Sequence, residues 1–594
     1  MTMLQSMHRY YDRMAARGEV DAPEFSREKI SLRVVLSPEG SVLRVLDIRE
    51  PGKKRLPQML NVPAAAKRTM AILPNRLWDK TSYALGRTAG TGRRTADEHA
   101  KFKADNLALI GASDDPGLLA LRRFLETWRS DDLDAHGVSP DLLDGNVVFQ
   151  LEGELGDIHA RYAARALLAG SRAKGAVGQP CLVSGMVAPV ARLHPSIKGV
   201  WGAQTGGASL VSFQQEAFKS YGKEQGDNAP TSEAAAARYG VALNRMLDRT
   251  SRNRLPRPIG DAAVVFWADT SDTVDEAAAA AAEDWFAHTI DPPDDSSQAS
   301  RVAETLAALA AGRPLAEAAP DLEPGTRFHV LGLSPNAARL SVRFWLDDTF
   351  DAFAHRVAEH HQALRIEPRP WRDKPPSVSR LLVRTTALLE DFKNIPPLLA
   401  GEVMRAILSG TPYPRAWLAA AIIRLRAGDD PASGWHAAAA RAVLTRIRSE
   451  ETPPVSLDPD NADPAYQLGR LFAVLEAAQG AALGYKLSAT VADRYYGAAS
   501  ATPARVFGPL LRGARTHIAD ANKRNKGFWL NGRLEQIMGQ LGPELPRTLR
   551  LEDQGRFAIG YYHERASRPR KTAADDADET ADPISPLISS LESE

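Results

Sequence analysis

Cysteine occurs once in 594 residues, at Cys181. A single thiol excludes an internal disulfide and any multi-cysteine zinc site, suits a reducing compartment, and is expected to behave as a small buried hydrophobe. Long apolar runs are missing too. No stretch reaches the roughly 18 uninterrupted apolar residues of a membrane span, and the opening MTMLQSMHRYYDRM has no signal-peptide apolar core, so the expected location is the cytoplasm, without membrane contact. Catalytic signatures are equally scarce: there is no G-x-S-x-G and no zinc motif. His360-His361 follows Glu359 on a helical pattern without carboxylates at useful spacing, which predicts a solvated helix face, and Asp157-x-His159 stands alone. GRTAGTGRR from Gly86 lacks both the G-x-x-x-x-G-K-[ST] arrangement and a preceding apolar strand, so nucleotide hydrolysis is not expected. The expectation is no catalytic residue, no metal and no cofactor.

Net charge is also almost absent at +1, but the sum hides segregation. Residues 51–103 carry twelve Lys or Arg against three acids, and residues 480–571 carry sixteen against seven. Residues 572–594 hold seven acids and no base, and read as an acidic disordered tail. Two basic regions far apart in sequence form an electrostatic footprint for a polyanion.

The chain exceeds one ordinary core, and two to four domains are expected. An opening helix is predicted over 3–17 from Leu4, Met7, Tyr11 and Met14. KISLRVVL and SVLRVLDI, joined by Ser37-Pro38-Glu39-Gly40, read as a hairpin. Residues 98–130 and 160–169 read as helical, and NVVFQL at 146–151 as a strand. Pro230 to Glu233 starts a helix, while AVVFWA at 263–268, RFHVLGL and LSVRFW are buried-strand candidates. Prolines 368, 370, 375 and 376 mark a boundary. The predicted class is α+β: a mixed α/β amino-terminal domain over 1–366, then an all-α carboxy-terminal helical bundle over 377–571. Within the bundle, Asp463-Pro464 caps a helix whose Leu468, Leu471, Phe472 and Leu475 recur with amphipathic spacing.

Three places carry the binding chemistry. In the loop-like 51–103 region, Lys53, Lys54, Lys67, Arg68, Lys80, Arg93 and Arg94 can hold phosphates, and the Asn75 amide offers a donor and an acceptor to a base edge. WGAQTGGASLVSFQQEAFKSYGKEQGDN, from Trp201 to Asn228, joins a glycine pair to amide, hydroxyl and aromatic groups without apolar periodicity. Gly206 and Gly207 permit close backbone approach, Gln204, Thr205, Ser209 and Ser212 add neutral donors and acceptors, and Lys219 and Lys223 add charge; a plain tight turn between two strands is the other reading. In the bundle, ANKRNKGFWLNGRLEQIMGQL contributes Lys523, Arg524 and Lys526 to a cationic face.

QTGGASLVSF and SYGKEQGDNAP, with LPNRLWDKTSYALG from Leu73, RFHVLGLSPNAARLSVRFW from Arg327 and LEDQGRFAIGYYHERA from Leu551, resemble in the same order the large subunit of the type I-C CRISPR Cascade complex (the Dvulg subtype). The resemblance spans nearly the whole chain. It implies a non-catalytic subunit that binds target DNA, recognises the short PAM, supports duplex opening and R-loop formation, and helps recruit a separate helicase-nuclease. Its implied partners are a crRNA-containing complex of backbone, repeat-processing and small subunits, the double-stranded target and the displaced single strand. Asn75, Lys80, Gln204, Thr205, Gly206 and Gly207 are then expected near the PAM. Residues 463–571 resemble a small subunit that can also be made from an internal start; here Met404 and Met538 are the only methionines after residue 400, so such a product would begin at a non-methionine codon such as Leu468 or Val474, or at Met404. The reading from another class is a metal-dependent nuclease acting on RNA or DNA, and a third is a scaffold that touches no nucleic acid.

Overall fold

A computed structural model describes residues 2–20, 25–51, 55–66, 68, 71–171, 178–270, 275–292, 296–371, 376–384, 391–447, 452–484, 489–524 and 527–567. Helix makes up 51% and strand 14%, with sheets confined to the amino-terminal part, which is the α+β class expected. The chain forms two compact units, 1–196 with 211–245, and 197–210 with 246–594. The Trp201–Asn228 stretch is shared between them: 201–210 belongs to the second unit and 211–228 to the first.

In the first unit, α1 (Met3–Ala16) starts with a capping box in which Thr2 and Gln5 each accept the other's backbone N–H, and it buries Met7, Tyr11 and Met14 as their spacing predicts. The anticipated hairpin is split at Ser31. β1 (Phe25–Ile30) pairs with β4 (Gln58–Pro63), while β2 (Leu32–Leu36) turns into β3 (Val42–Asp47) through Ser37–Gly40, where the Gly40 N–H donates to the Ser37 carbonyl at 2.9 Å. With β5 (Asp79–Lys80) and β6 (Asn146–Leu151) the sheet order is β3-β2-β6-β5, and only β2 and β6 are parallel. The predicted helix over 98–130 is two helices, α2 (Thr95–Ile110) and α3 (Pro116–Thr127). Gly111 at φ +54 ends the first, and the Asp115 carboxylate caps the second by accepting the Leu118 N–H at 3.0 Å. Val34, Leu36, Leu121, Phe124 and Phe149 fill the core between sheet and helices. α4 (Tyr162–Ser171) and α5 (Glu233–Met246) follow.

In the second unit, β8 (Ala263–Ala268), β9 (Arg327–Asn336) and β10 (Arg339–Thr349) are antiparallel, and β7 (Ala208–Ser209) joins β10 in parallel. All six residues of β8 are buried, as a continuous apolar run requires. α6 (Glu276–Ile290), α7 (Ser296–Ala310) and α8 (Phe350–Leu364) cover this sheet, and α9 (Pro397–Ser409), α10 (Arg415–Arg426) and α11 (Trp435–Arg446) lead into the bundle of α12 (Pro464–Leu483), α13 (Val491–Ala499), α14 (Pro503–Lys523), α15 (Phe528–Gln540) and α16 (Leu551–Ala566). One apolar core runs from Leu255 through Phe328 and Trp417 to Tyr562, so sheet and helices are not separately packed.

α12 is the axle of the bundle. The Asp463 carboxylate caps it by accepting the Tyr466 N–H at 2.8 Å, and 17 of its 20 residues are buried. The amphipathic face expected there is therefore a helix enclosed all round. Its one buried cation, Arg470, donates to Glu564 of α16 at 3.0 Å and to Gln467 at 3.0 Å, and the second Glu564 oxygen meets Arg533 of α15 at 2.8 Å. His360 in α8 is likewise buried, with Nδ1 2.5 Å from the Tyr413 hydroxyl, so the solvated face expected for it is packed instead.

Candidate nucleic-acid interface

The loop that leads into β5 is organised around a buried carboxylate. Asp79 is fully buried and accepts the backbone N–H groups of Asn75 at 2.7 Å and Lys80 at 2.7 Å, together with a guanidinium N–H of Arg68. Burial pushes the Asp79 carboxyl up from its ordinary value, and Arg68 opposes that shift. Arg68 also donates to the Leu73 carbonyl at 2.6 Å and lies 4.0 Å over the Tyr83 ring. Asn75 is buried, and its side-chain oxygen accepts the Ala66 N–H at 2.8 Å. Arg68 and Asn75, expected at phosphate and base, thus hold the loop's own shape, whereas Lys80 next to them is exposed. Lys53, Lys54 and Lys67 lie outside the described residues.

Further along, the glycine-rich run from Gly86 is tied to an acid. Asp144, at φ +68, accepts the Thr88 hydroxyl at 2.6 Å and the Ala89 N–H at 3.3 Å, so a carboxylate already holds donors that a phosphate would need. Arg93 and Arg94 are exposed just before α2.

Gln204 to Gly207 form a tight turn closed by the Gly207 N–H donating to the Gln204 carbonyl at 2.9 Å, and Ser209 then donates to the Ala338 carbonyl at 3.0 Å to start β7. Gln204, Thr205 and Gly206 are exposed. A Cβ built at Gly206 meets nothing within 4 Å, and Gly207 sits at φ +90. The turn is a structural connection into β7 whose tip is polar and open. Trp201, in the same loop, is 54% exposed.

Residues 211–228 stand in the first unit. Lys219 is held between Glu216 at 2.6 Å and Glu224 at 3.4 Å, while Lys223 is exposed. Tyr221 is 99% exposed at φ +51, an aromatic face offered to solvent. Trp201 and Tyr221 were not singled out by residue type; their signal was an aromatic in a polar, aperiodic stretch, which is where base-stacking side chains are found.

In the bundle, Lys523 pairs with Asp520 at 2.9 Å, and Arg524 donates to the Ala482 carbonyl at 2.6 Å, satisfying the carboxy-terminal end of α12. Lys526 lies outside the described residues. Phe528 and Trp529, 68% and 45% exposed, open α15 beside these cations. Between α14 and α15 lies a cleft of about 580 Å³.

Other polar clusters are internal. The Asp157 carboxylate pairs with Arg33 at 2.7 Å and the His159 ring meets the Asn61 carbonyl at 3.0 Å. Among the described residues no group of three His, Cys, Asp or Glu side chains is placed to hold a metal ion, and no helix is long and apolar enough to cross a membrane. The first unit exposes the cations Lys80, Arg93, Arg94 and Lys223 and the Tyr221 ring, and the second exposes Trp201 and the Gln204–Gly206 tip; each set is of the residue types that contact phosphates and bases. No curated protein matches the chain. Residues 7–568 match the family model described as CRISPR-associated protein (Cas_Csd1), and the chain therefore belongs to that family, the large subunits of type I-C CRISPR systems.

Proposed function

We propose that this chain is the large subunit of a type I-C RNA-guided surveillance complex, binding target DNA beside the PAM and assisting duplex opening, without an active site of its own. The observation that carries the reading is the family match over residues 7–568. In the second unit the exposed Gln204–Gly206 tip, open around Gly206, supports a close approach to DNA, and in the first unit the exposed Lys80, Arg93, Arg94 and Lys223 are suited to phosphate contacts. In this scheme sequence is read by the guide RNA, and the protein reads only the short motif beside it. The crRNA-bearing backbone, the displaced strand and a helicase-nuclease are the partners, with the cationic side of α14 and α15 lying along the unpaired strand.

Binding of the assembled complex to duplexes with matched and mismatched PAM, measured over a salt series, tests this. DNA affinity should fall steeply with ionic strength. Gly206→Val should abolish discrimination between the two duplexes while the complex still assembles. A flat salt dependence, or unchanged discrimination, counts against the reading. Cleavage of RNA or DNA by the purified chain with magnesium or manganese would instead favour a nuclease.

A further inference from the structure

The cleft between α14 and α15 is within the size range of small-ligand sites. Leu511, Ile518, Leu534 and Met538 make its walls apolar, and Asn522 of α14 and Asn531 of α15 each bring an amide to it. Arg515 and Glu535, one of each sign, are the charged residues of its lining. A cleft that is neutral, apolar-walled and edged with amides suits the flat body of a base, whose rim carries donors and acceptors, better than it suits a phosphate.

Phosphate and stacking chemistry borders it. Arg512 and Lys523 are exposed three turns apart on α14, about 16 Å, with Arg515 exposed between them. Lys523 keeps 76% of its side chain exposed beside Asp520. Phe528, 68% exposed, stands three and seven residues before Asn531 and Glu535, the spacing of one helical face, so it heads the row that α15 contributes to the cleft. Its place is fixed by the residue before it. A Cβ on Gly527 would stand 2.9 Å from that of Ala521 and 2.6 Å from the Asn522 Oδ1, so α15 starts directly against the end of α14, where Lys523 follows. Aromatic faces for bases beside cations for phosphates are the means by which single strands are held without regard to sequence.

We propose that the α14–α15 cleft takes an unpaired base of single-stranded DNA, stacked on Phe528, with Asn522 and Asn531 at its polar edge and Arg512, Arg515 and Lys523 on the neighbouring phosphates. Every base has a stacking face, so the site grips the strand without selecting its sequence. The assignment rests on the proposed contact between this side of the bundle and the unpaired strand, and narrows it to one pocket and one ring.

Fluorescence anisotropy on the full chain tests the proposal with two probes of equal length and charge, an oligothymidine and an abasic oligonucleotide. The parent chain should bind the thymidine strand about 10-fold more tightly than the abasic one. Phe528→Ala should bring the thymidine strand down to the abasic level and Phe528→Trp should keep the preference, both with an unchanged thermal midpoint. Arg512→Gln combined with Lys523→Gln should weaken both strands equally and reduce the salt slope, as lost phosphate contacts require. Equal affinity of the parent for the two strands, or a Phe528→Ala chain that still prefers thymidine, overturns the base pocket while leaving phosphate binding by the bundle in place. Binding of neither strand removes the proposed strand contact and the pocket together.

Discussion

Asp79 has no water to turn to, and its charge is carried by Arg68 and two backbone N–H groups. Removing the guanidinium strands a carboxylate in the interior, so Arg68→Ala should destabilise the first unit by about 3 kcal/mol, with part of that recovered when Asp79→Asn is added. Denaturant unfolding of the two variants checks this, and a loss below about 1 kcal/mol for the single change would mean the pair is dispensable. The glycine pair divides in the same physical way. Gly206 has open space and an ordinary backbone, so Gly206→Val should leave the melting temperature unchanged. Gly207 sits at φ +90, where a branched side chain is strained, and Gly207→Val should cost about 1–3 kcal/mol. Comparing the melts separates a residue kept for what it touches from one kept for its conformation.

At the scale of elements, the crossing of α12 and α16 is set by two glycines that face the opposing backbone. A Cβ at Gly469 would stand 2.0 Å from the Phe557 carbonyl oxygen, and one at Gly560 would stand 2.1 Å from that of Tyr466. Either helix must move outward to admit a methyl group, and in a close-packed core each alanine substitution should cost about 1–3 kcal/mol. The prediction is read from the thermal midpoint, and a Gly560→Ala chain as stable as its parent would refute this account of the crossing. These glycines illustrate which parts of the fold were legible beforehand. Strands such as β6 and β8 announced themselves because β-branched and aromatic residues run together between turn signals. The Ser37–Gly40 turn and the Asp463-Pro464 start were equally plain, since each is decided by neighbours within four residues. The split of the hairpin at Ser31 was not, because β1 finds its partner in β4, about thirty residues on. Nor was the enclosure of α12, where the apolar stripe was visible but the partners that Arg470 and Glu476 find on α16 were not. The surroundings of the candidate site residues were legible only in part, for the same reason. Lys80, Gln204 and Gly206 are exposed, whereas Asn75 and Arg68 are drawn inward by a carboxylate that sequence spacing alone does not identify as buried.

For the molecule as a whole, acid should be the sensitive direction. Burial holds the His563 imidazole down to about 4, and the neutral ring is locked with its Nε2 on the Val455 carbonyl at 3.1 Å and its Nδ1 3.0 Å from the Tyr466 hydroxyl. His360 is lowered well below its usual value by the same burial. An imidazole whose folded value is depressed gains a proton on unfolding, so its contribution is intact above the unfolded value near 6.5 and is lost as pH falls toward 4. His563 alone should cost about 2 kcal/mol at pH 5 relative to pH 7.5. Melts between those values should show the drop, and His563→Gln should flatten it; a pH-independent midpoint would contradict the assignment. The axle helix has one more consequence, concerning how the chain is made. α12 is covered by α16, and Gly555 of α16 lies in turn against Leu418 and Leu444, so the centre of the second unit closes only when its last described helix arrives. Close to seventy residues separate the end of α12 from the start of α16, and a ribosome adding about 5–20 residues per second would leave the apolar helix unsheathed for several seconds. During that interval the growing chain presents an apolar helix that is enclosed all round in the folded unit to whatever chaperone waits at the exit tunnel.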